Sequence, residues 1–262
     1  MRIVLYNIRY GTGTGWDFHL PLPFSGLFRR TETSLRHLST FIDGVKPDLV
    51  GLVEVDGGSY RNGGESQARC LAENLDLDHF FSCKYGRDSI FRKIPLLSSQ
   101  GNAILSRVPA LRTKKVDLTR GMKKTLLEAE FEDFVFLLVH LPLGQGARQA
   151  QLETLAGMIR EHRKPVLLGG DFNLLHGSGE LSGFLAETGL RDADPLSRKT
   201  YPSRLPRFRL DFLLTGPGVK VHRFDVPDVR FSDHLPLVCD FDVIRGGVGK
   251  RNEPGCSFPG HS

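Results

Sequence analysis

The chain has 262 residues, of which 40% are hydrophobic and 25% are charged, and its mean hydropathy is −0.20. This composition is typical of a folded globular protein and excludes disorder of the bulk of the chain. Apolar runs such as residues 134–139 are much shorter than the roughly 20 residues that cross a bilayer as a helix, so we expect a soluble protein. Residues 3–6 are too short for a signal-peptide core, which predicts a cytoplasmic location.

The net charge of +5 is unevenly distributed along the chain. Residues 84–124 contain eleven Lys or Arg and only two acidic residues, and residues 198–210 contain five Lys or Arg and no acidic residue. The remainder of the chain is therefore acidic. Two basic segments beside an acidic remainder would suit a metal site that faces an anionic substrate, although solvated surface charge is an equally good interpretation.

Hydrophobic patterning predicts strands interleaved with helices along the chain. Several predicted strands are continuous apolar runs, which is typical of strands buried on both faces. The helices follow from apolar residues that recur every three to four positions. The predicted strands span residues 2–6, 49–53, 103–105, 126–131, 134–139, 166–168, 212–214, 219–224 and 235–243, and the predicted helices span residues 31–45, 65–75, 147–161 and 180–188. This alternation predicts the α/β class.

Polar side chains stand directly after four early strands and directly before two late ones. The first group is Asn7, Glu54, His140, Asp171 and Asn173, and the second group is Asp211, Asp233 and His234. If both groups meet at one edge, the late strands run antiparallel to the early ones and the sheet is mixed, which disfavours the all-parallel dinucleotide-binding fold. Since the contributors span most of the chain, we expect one domain over residues 1–244, followed by a flexible Gly- and Pro-rich tail over residues 245–262.

Three of these residues have the chemistry of ligands for a hard metal ion. Glu54 and Asp233 offer carboxylate oxygens, and Asn7 offers an amide oxygen. Such ligands suit Mg²⁺ or Mn²⁺ and not zinc. Each residue taken alone is more often a cap or a satisfied polar group, so the prediction depends on their joint occurrence.

Other residues of the set can transfer protons. His234 beside Asp211 could be the oriented imidazole of an acid/base pair, and Asp171 could hold a water molecule for attack. The Gly-rich residues 11–15 do not complete a dinucleotide-binding motif, because Trp16 stands where the third glycine would be. A P-loop and a nucleophile elbow are missing as well, so nucleotide or serine hydrolysis by those routes is not supported.

Seven short blocks of the sequence resemble, in the same order, the successive motifs of the endonuclease/exonuclease/phosphatase superfamily. The blocks are YNIRYG at 6–11, LVEVD at 52–56, GNAILSR at 101–107, HLP at 140–142, GDFN at 170–173, RLDF at 209–212 and SDHLPL at 232–237. The resemblance covers roughly residues 1–243. It implies a four-layer α/β/β/α sandwich of two mixed sheets flanked by helices, with metal-dependent phosphoester hydrolysis at one end.

The resemblance also implies roles for the residues of a metal and water site. Glu54 would bind the catalytic Mg²⁺, for which Mn²⁺ could substitute, with Asn7 nearby and Asp233 as a further ligand. Asp171 and Asn173 would position or deprotonate the attacking water.

Further roles that the resemblance implies concern the substrate. His234, oriented by Asp211, and His140 would contact the scissile phosphate and stabilise its developing charge. Arg9 and Asn102, which lie in the matched blocks, are predicted to bind substrate. One position departs from the family, because Val53 stands where a Gln commonly precedes the metal-binding Glu, which puts a supporting hydrogen bond to that ligand in doubt.

Two features bear on the class of the substrate. Phe208 stands where DNA-repair members of the family carry a bulky aromatic side chain near the damaged nucleotide, so it is a predicted substrate-binding residue, although a packed core Phe is the more common alternative. Residues 18–30 are strongly apolar and end in two Arg. They are expected near the mouth of the site, where they could contact lipid or form a hydrophobic lid.

These observations predict a Mg²⁺-dependent phosphodiesterase of the nuclease type that acts on an anionic phosphoester. Nucleic acid is slightly favoured as the substrate because of the basic segments. The alternative is a phospholipid- or inositol-phosphate-cleaving enzyme with peripheral membrane contact through residues 18–30. A non-catalytic binding module with the same fold is a third hypothesis, and the intact set of acidic, imidazole and metal-binding positions disfavours it.

Overall fold

The computed structural model describes residues 1–13, 31–83, 99–118 and 125–244. The apolar loop at 18–30, much of the basic segment at 84–124 and the tail at 245–262 lie outside these ranges, so the expectations about them stay predictions. None of the described helices is long and apolar enough to cross a membrane.

The described elements alternate as the hydrophobic pattern predicts. The strands are β1 (Arg2–Asn7), β2 (Leu49–Asp56), β3 (Asp78–Cys83), β4 (Gln100–Ser106), β5 (Arg112–Asp117), β6 (Thr125–Glu130), β7 (Val135–His140), β8 (Val166–Asp171), β9 (Arg191–Asp192), β10 (Asp211–Thr215), β11 (Val219–Asp225) and β12 (Leu237–Val243). The helices are α1 (Glu32–Val45), α2 (Gln67–Leu75), α3 (Gln145–Glu161) and α4 (Ser182–Thr188), with short 3₁₀ helices at Arg9–Gly11, Tyr60–Asn62 and Ser178–Leu181. All nine predicted strands and all four predicted helices are thus confirmed.

The strands form two mixed six-stranded sheets. Their orders are β11-β12-β1-β2-β4-β3 and β5-β6-β7-β8-β10-β9. At the centre of each sheet one pair is parallel, β1 with β2 and β7 with β8, while β12 and β10 run antiparallel to their neighbours β1 and β8. The prediction that the late strands run antiparallel to the early ones is therefore confirmed. Both groups of polar residues lie at the same end of the central strands.

Alternate side chains of the strands bury two different surfaces. On β1, Ile3 and Leu5 face the core between the sheets, whereas Val4 and Tyr6 pack against α1 and α2 on the outer side. Helices α3 and α4 cover the outer face of the second sheet in the same way. This two-residue period produces four layers, so the predicted α/β/β/α sandwich is confirmed.

Three strands were not predicted, and each lies at or near a sheet edge. β3 and β5 are edge strands in which every residue is at least partly exposed, and β5 carries Arg112, Lys114 and Lys115. Edge strands commonly carry charged residues because these prevent pairing with other chains, and the charges remove the apolar pattern that identifies a strand. β9 has only two residues, which is too short for any pattern.

Candidate active site

The predicted site residues occupy the ends of central strands. Asn7, His140 and Asp171 are the last residues of β1, β7 and β8, and Asp211 is the first residue of β10. Asp171 is the register partner of both His140 and Asp211. Asn7 comes from the other sheet, and its Nδ2 donates to Asp171 Oδ2 at 3.1 Å. The two sheets therefore meet at one buried cluster.

Asp171 is the centre of this cluster and is 2% exposed. Its Oδ1 accepts the backbone N–H of Asn173 at 3.0 Å, and its Oδ2 lies 3.4 Å from His140 Nε2. Asn173 has left-handed backbone with φ of 54°, and its Nδ2 donates to the carbonyl of Leu141 at 2.8 Å. Gly170 is required before Asp171, since a Cβ there would lie 2.0 Å from the carbonyl oxygen of Val139. Hydrogen-bond donors therefore fix the orientation of the buried Asp171 carboxylate.

Glu54 leaves the regular strand before the end of β2. Its backbone is left-handed with φ of 56°, and the register between β2 and β4 shifts between Leu52 and Val55. Its carboxylate Oε1 lies 3.8 Å from His140 Nε2, so the bulge turns this side chain towards the cluster. The backbone N–H of Glu54 donates to Asn102 Oδ1 at 3.3 Å. Asn102, predicted to bind substrate, is therefore a support for Glu54 in this structure.

His234 and Asp211 form the expected buried pair. His234 Nδ1 lies 2.7 Å from Asp211 Oδ2, and that oxygen also accepts the Thr200 hydroxyl at 2.6 Å. Burial lowers the pKa of His234, but the charge and hydrogen bond of Asp211, with the charges of Asp171 and Asp233, raise it to about 10. The imidazole is therefore protonated at neutral pH and suits an anionic oxygen.

Arg9 and Asp233 are paired at the mouth of the cluster. Arg9 Nη1 lies 3.3 Å from Asp233 Oδ2, and the backbone N–H of Arg9 donates to Asn7 Oδ1 at 3.1 Å. Both side chains keep partial exposure, at 21% and 17%. Arg9 thus neutralises a predicted metal ligand while remaining accessible to an anion.

The donor set fits a metal ion that keeps most of its water. Within the described ranges, no group of three or more His, Cys, Asp or Glu side chains is arranged to hold a metal ion. Mg²⁺ binds through one or two carboxylates and retains several waters, so it needs no such protein cage. Glu54 is a partly exposed carboxylate of the cluster, whereas Asp233 is paired with Arg9 and the Asn7 oxygen accepts an N–H. Glu54 therefore fits Mg²⁺ or Mn²⁺ best, and Asn7 and Asp233 fit less well.

The segment before β10 contributes residues that the sequence analysis did not single out. Thr200 is fully buried against Asp211, and the ring of Tyr201 lies 4.9 Å from the ring of His234. Phe208 pairs with Tyr201 through the backbone and is 40% exposed, so the alternative of a packed core Phe is wrong. No local pattern marks Thr200 or Tyr201, because their places depend on the segment folding back onto the chain near His234.

The basic segment at 198–210 is partly neutralised by acids just outside it. Arg209 donates to both carboxylate oxygens of Asp192 at 2.6 Å, and Arg198 lies 3.3 Å from Asp194. The guanidinium of Arg209 also lies 4.2 Å from the centre of the Phe212 ring. These two arginines hold the segment in place, and Lys199, Arg204 and Arg207 are its exposed cations.

Comparison with known proteins agrees with the sequence motifs. A model of the Endonuclease/Exonuclease/phosphatase family matches residues 4–234, which confirms the resemblance inferred from the seven blocks. A UPF0294 protein of Yersinia pseudotuberculosis is 33% identical over 105 residues, which cover 39% of this chain and 39% of that protein. The uncharacterised protein YbhP of Escherichia coli is 29% identical over 180 residues, which cover 61% of this chain and 68% of that protein. The chain thus spans about two fifths of the length of the Yersinia relative.

Solved structures share the fold at low sequence identity. A mannosyl-6-phosphatase of Bacteroides thetaiotaomicron has a TM-score of 0.67 and 16% identity, covering 92% of this chain and 99% of that one. TDP2 of D. rerio, humanised by 14 mutations, has a TM-score of 0.65 and 18% identity, covering 93% and 99%. The catalytic domain of human nocturnin with bound sulfate has a TM-score of 0.64 and 20% identity, covering 93% and 94%. At these identities the likeness shows the fold alone.

Proposed function

Because the chain belongs to the Endonuclease/Exonuclease/phosphatase family, we propose that it is a divalent-metal-dependent phosphodiesterase, with nuclease activity as the first candidate. The observation that carries this proposal is the contact between Asn7, Asp171 and His140 at the junction of the two sheets. Five predicted site residues from five strands converge there or beside it: Asn7, Glu54, His140, Asp171 and Asp211. Nucleases and phosphatases, the activities in the family name, both hydrolyse phosphoesters.

The residues divide into a water-activating group and a charge-stabilising group. Asp171, held by the N–H of Asn173 and the amide of Asn7, would orient the attacking water and accept its proton. The protonated His234, with His140, would face the oxygens of the scissile phosphate as negative charge develops. A Mg²⁺ or Mn²⁺ ion held by Glu54 would supply Lewis-acid polarisation of a phosphoryl oxygen.

A substrate panel tests the proposal directly. The purified protein is incubated with DNA, RNA, phospholipids and inositol phosphates, each with Mg²⁺ and with chelator. We expect hydrolysis in at least one arm and its loss with chelator. Turnover that persists in chelator would contradict metal dependence, and absence of turnover on every phosphoester would favour the non-catalytic binding module.

Glu54→Gln is expected to raise the Mg²⁺ concentration required for half-maximal rate, because a neutral amide replaces an anionic ligand. The measurement is the initial rate as a function of Mg²⁺ concentration. Glu132→Gln is the matched control, since Glu132 is exposed before β7, at the opposite end of the sheet from the site. A metal titration that is the same in both variants would remove Glu54 from the metal site.

A second candidate is an enzyme that acts on lipid phosphoesters. Four large apolar side chains are exposed on the loops that carry or flank site residues: Leu143 at 58%, Leu175 at 41%, Leu205 at 59% and Phe208 at 40%. Arg204 and Arg207 are also exposed, and they are the chain neighbours of Leu205 and Phe208. Apolar side chains mixed with cations favour contact with an anionic bilayer.

Salt dependence and liposome binding separate the two candidates. If nucleic acid is the substrate, its binding should weaken with salt, with a log–log slope of about −0.9 per duplex phosphate neutralised, and Arg204→Glu with Arg207→Glu should flatten that slope. If lipid is the substrate, Leu205→Ser with Phe208→Ser should reduce sedimentation with anionic liposomes. Leu111→Ser is the control, because Leu111 is exposed beyond the other end of the sheet. Salt-insensitive DNA binding together with Leu205-dependent sedimentation would replace the nuclease candidate by the lipid candidate.

A further inference from the structure

Two segments of left-handed backbone carry residues of the candidate active site. Arg9, Tyr10 and Gly11 have φ angles of 44°, 57° and 67°, and Glu54 has a φ angle of 56°. This conformation is unfavourable for residues with a side chain and persists only where surrounding contacts hold it. The contacts around these segments therefore determine where the side chains of Arg9 and Glu54 point.

One buried amide bonds to the first segment and to the strand just after the second. Gln67 is the first residue of α2 and is fully buried. Its Oε1 accepts the backbone N–H of Asp56, two residues after Glu54, at 3.0 Å. Its Nε2 donates to the backbone carbonyl of Tyr10 at 2.7 Å and to Thr31 Oγ1 at 3.2 Å. A single side chain thus joins the end of β2, the turn after β1 and the start of α1.

The buried ion pair between Asp56 and Arg61 supports the same region and contacts the ring of Tyr10. Asp56 is fully buried, and its carboxylate accepts the backbone N–H of Ser59 at 2.7 Å and lies 3.4 Å from Arg61 Nε. The guanidinium of Arg61, also buried, lies 5.1 Å from the centre of the Tyr10 ring. The Tyr10 turn is therefore held through its ring as well as through its carbonyl oxygen.

We propose that Gln67 is a positioning residue that sets the direction of Glu54 towards the metal and of Arg9 towards Asp233. The proposal rests on the proposed function, since it takes Glu54 as the metal ligand. Val53, the residue before Glu54, packs in the core between the sheets, and its apolar side chain offers Glu54 no hydrogen bond. In this chain the support comes from α2, through the backbone of Asp56.

Direct metal binding is the decisive measurement, because it does not depend on turnover. Gln67→Met keeps a similar side-chain volume and removes all three hydrogen bonds. We expect the Mn²⁺ affinity of the protein, measured by titration with detection of free Mn²⁺ by electron paramagnetic resonance, to fall about tenfold, which is the usual effect of losing a residue that supports a metal ligand. In an active preparation, the same variant should also need more Mn²⁺ for half-maximal rate.

Two further variants separate positioning from general destabilisation. Leu71 lies on the same helix, is fully buried and packs in an apolar cluster. The substitution Leu71→Ala should therefore lower the melting temperature and leave the Mn²⁺ affinity unchanged. Gln67→Glu keeps an oxygen for the Asp56 N–H but replaces the donor to the Tyr10 carbonyl by an acceptor, so it should also lower the Mn²⁺ affinity. If Gln67→Met does not fold, Gln67→Glu decides the question.

The outcomes distinguish this inference from the proposed function. Unchanged Mn²⁺ affinity in the folded Gln67 variants, or an equal loss in Leu71→Ala, would overturn the role of Gln67 while leaving the hydrolase proposal intact. Wild-type protein that binds Mn²⁺ and hydrolyses no phosphoester would overturn the proposed function instead. Mn²⁺ affinity that depends on Gln67 but not on Leu71 supports the positioning role.

Discussion

Replacing Asp171 by Asn is expected to lower kcat by about 100-fold or more while the protein stays folded. The carboxylate accepts from the Asn173 N–H on one oxygen and from the Asn7 amide on the other. An Asn side chain offers only one accepting oxygen, and it cannot take a proton from water at neutral pH. The variant therefore loses the general base and must also place an NH₂ group opposite a donor.

The Asp171→Asn experiment measures kcat on the substrate found in the panel, together with the melting temperature. Asp78→Asn is the control, because Asp78 is an exposed carboxylate at the start of the edge strand β3, at the far end of the first sheet. Near-wild-type kcat in Asp171→Asn would contradict the role of Asp171 in activating water. A kcat loss explained by unfolding would be visible as a lower melting temperature.

The second large effect is expected for His234→Ala, which should also lower kcat by about 100-fold or more. The variant removes the protonated imidazole that Asp211 and the neighbouring carboxylates maintain, so the developing charge on the phosphate loses a cationic partner. Thr200→Val should lower kcat less, because it leaves the imidazole in place and removes only the hydroxyl that donates to Asp211 Oδ2 and accepts the backbone N–H groups of Leu210 and Asp211.

The chain offers a matched control for this histidine. His222 also pairs with a carboxylate, with its Nε2 at 2.8 Å from Asp242 Oδ2, but on the exposed surface of β11 and β12. His222→Ala should therefore leave kcat unchanged. Equal effects of the two substitutions, or wild-type turnover in His234→Ala, would contradict a catalytic role of His234.

The sequence by itself predicted the central framework of this protein. The central strands β1, β7 and β8 are apolar almost to their last residue, where Asn7, His140 and Asp171 stand. A strand that is buried on both faces needs such an apolar run, and a polar residue at the end of the run marks the end of the strand that faces the site. The same pattern predicted a mixed sheet, on the condition that both groups of polar residues meet, because Asp211 and His234 precede the predicted late strands. The arrangement in two sheets was implied by the resemblance to the family and not by local periodicity.

Only the tertiary structure decided how the side chains of the site are held. Glu54 turns towards His140 because of a bulge and a left-handed residue, and Arg9 reaches Asp233 from a left-handed turn. Thr200 meets Asp211 because a loop folds back. These positions depend on hydrogen bonds between residues far apart in the chain, such as the one from Gln67 to Tyr10. Hydrophobic periodicity encodes which face of an element is buried, but it does not encode which distant donor meets which acceptor, so these contacts are fixed only when the elements pack.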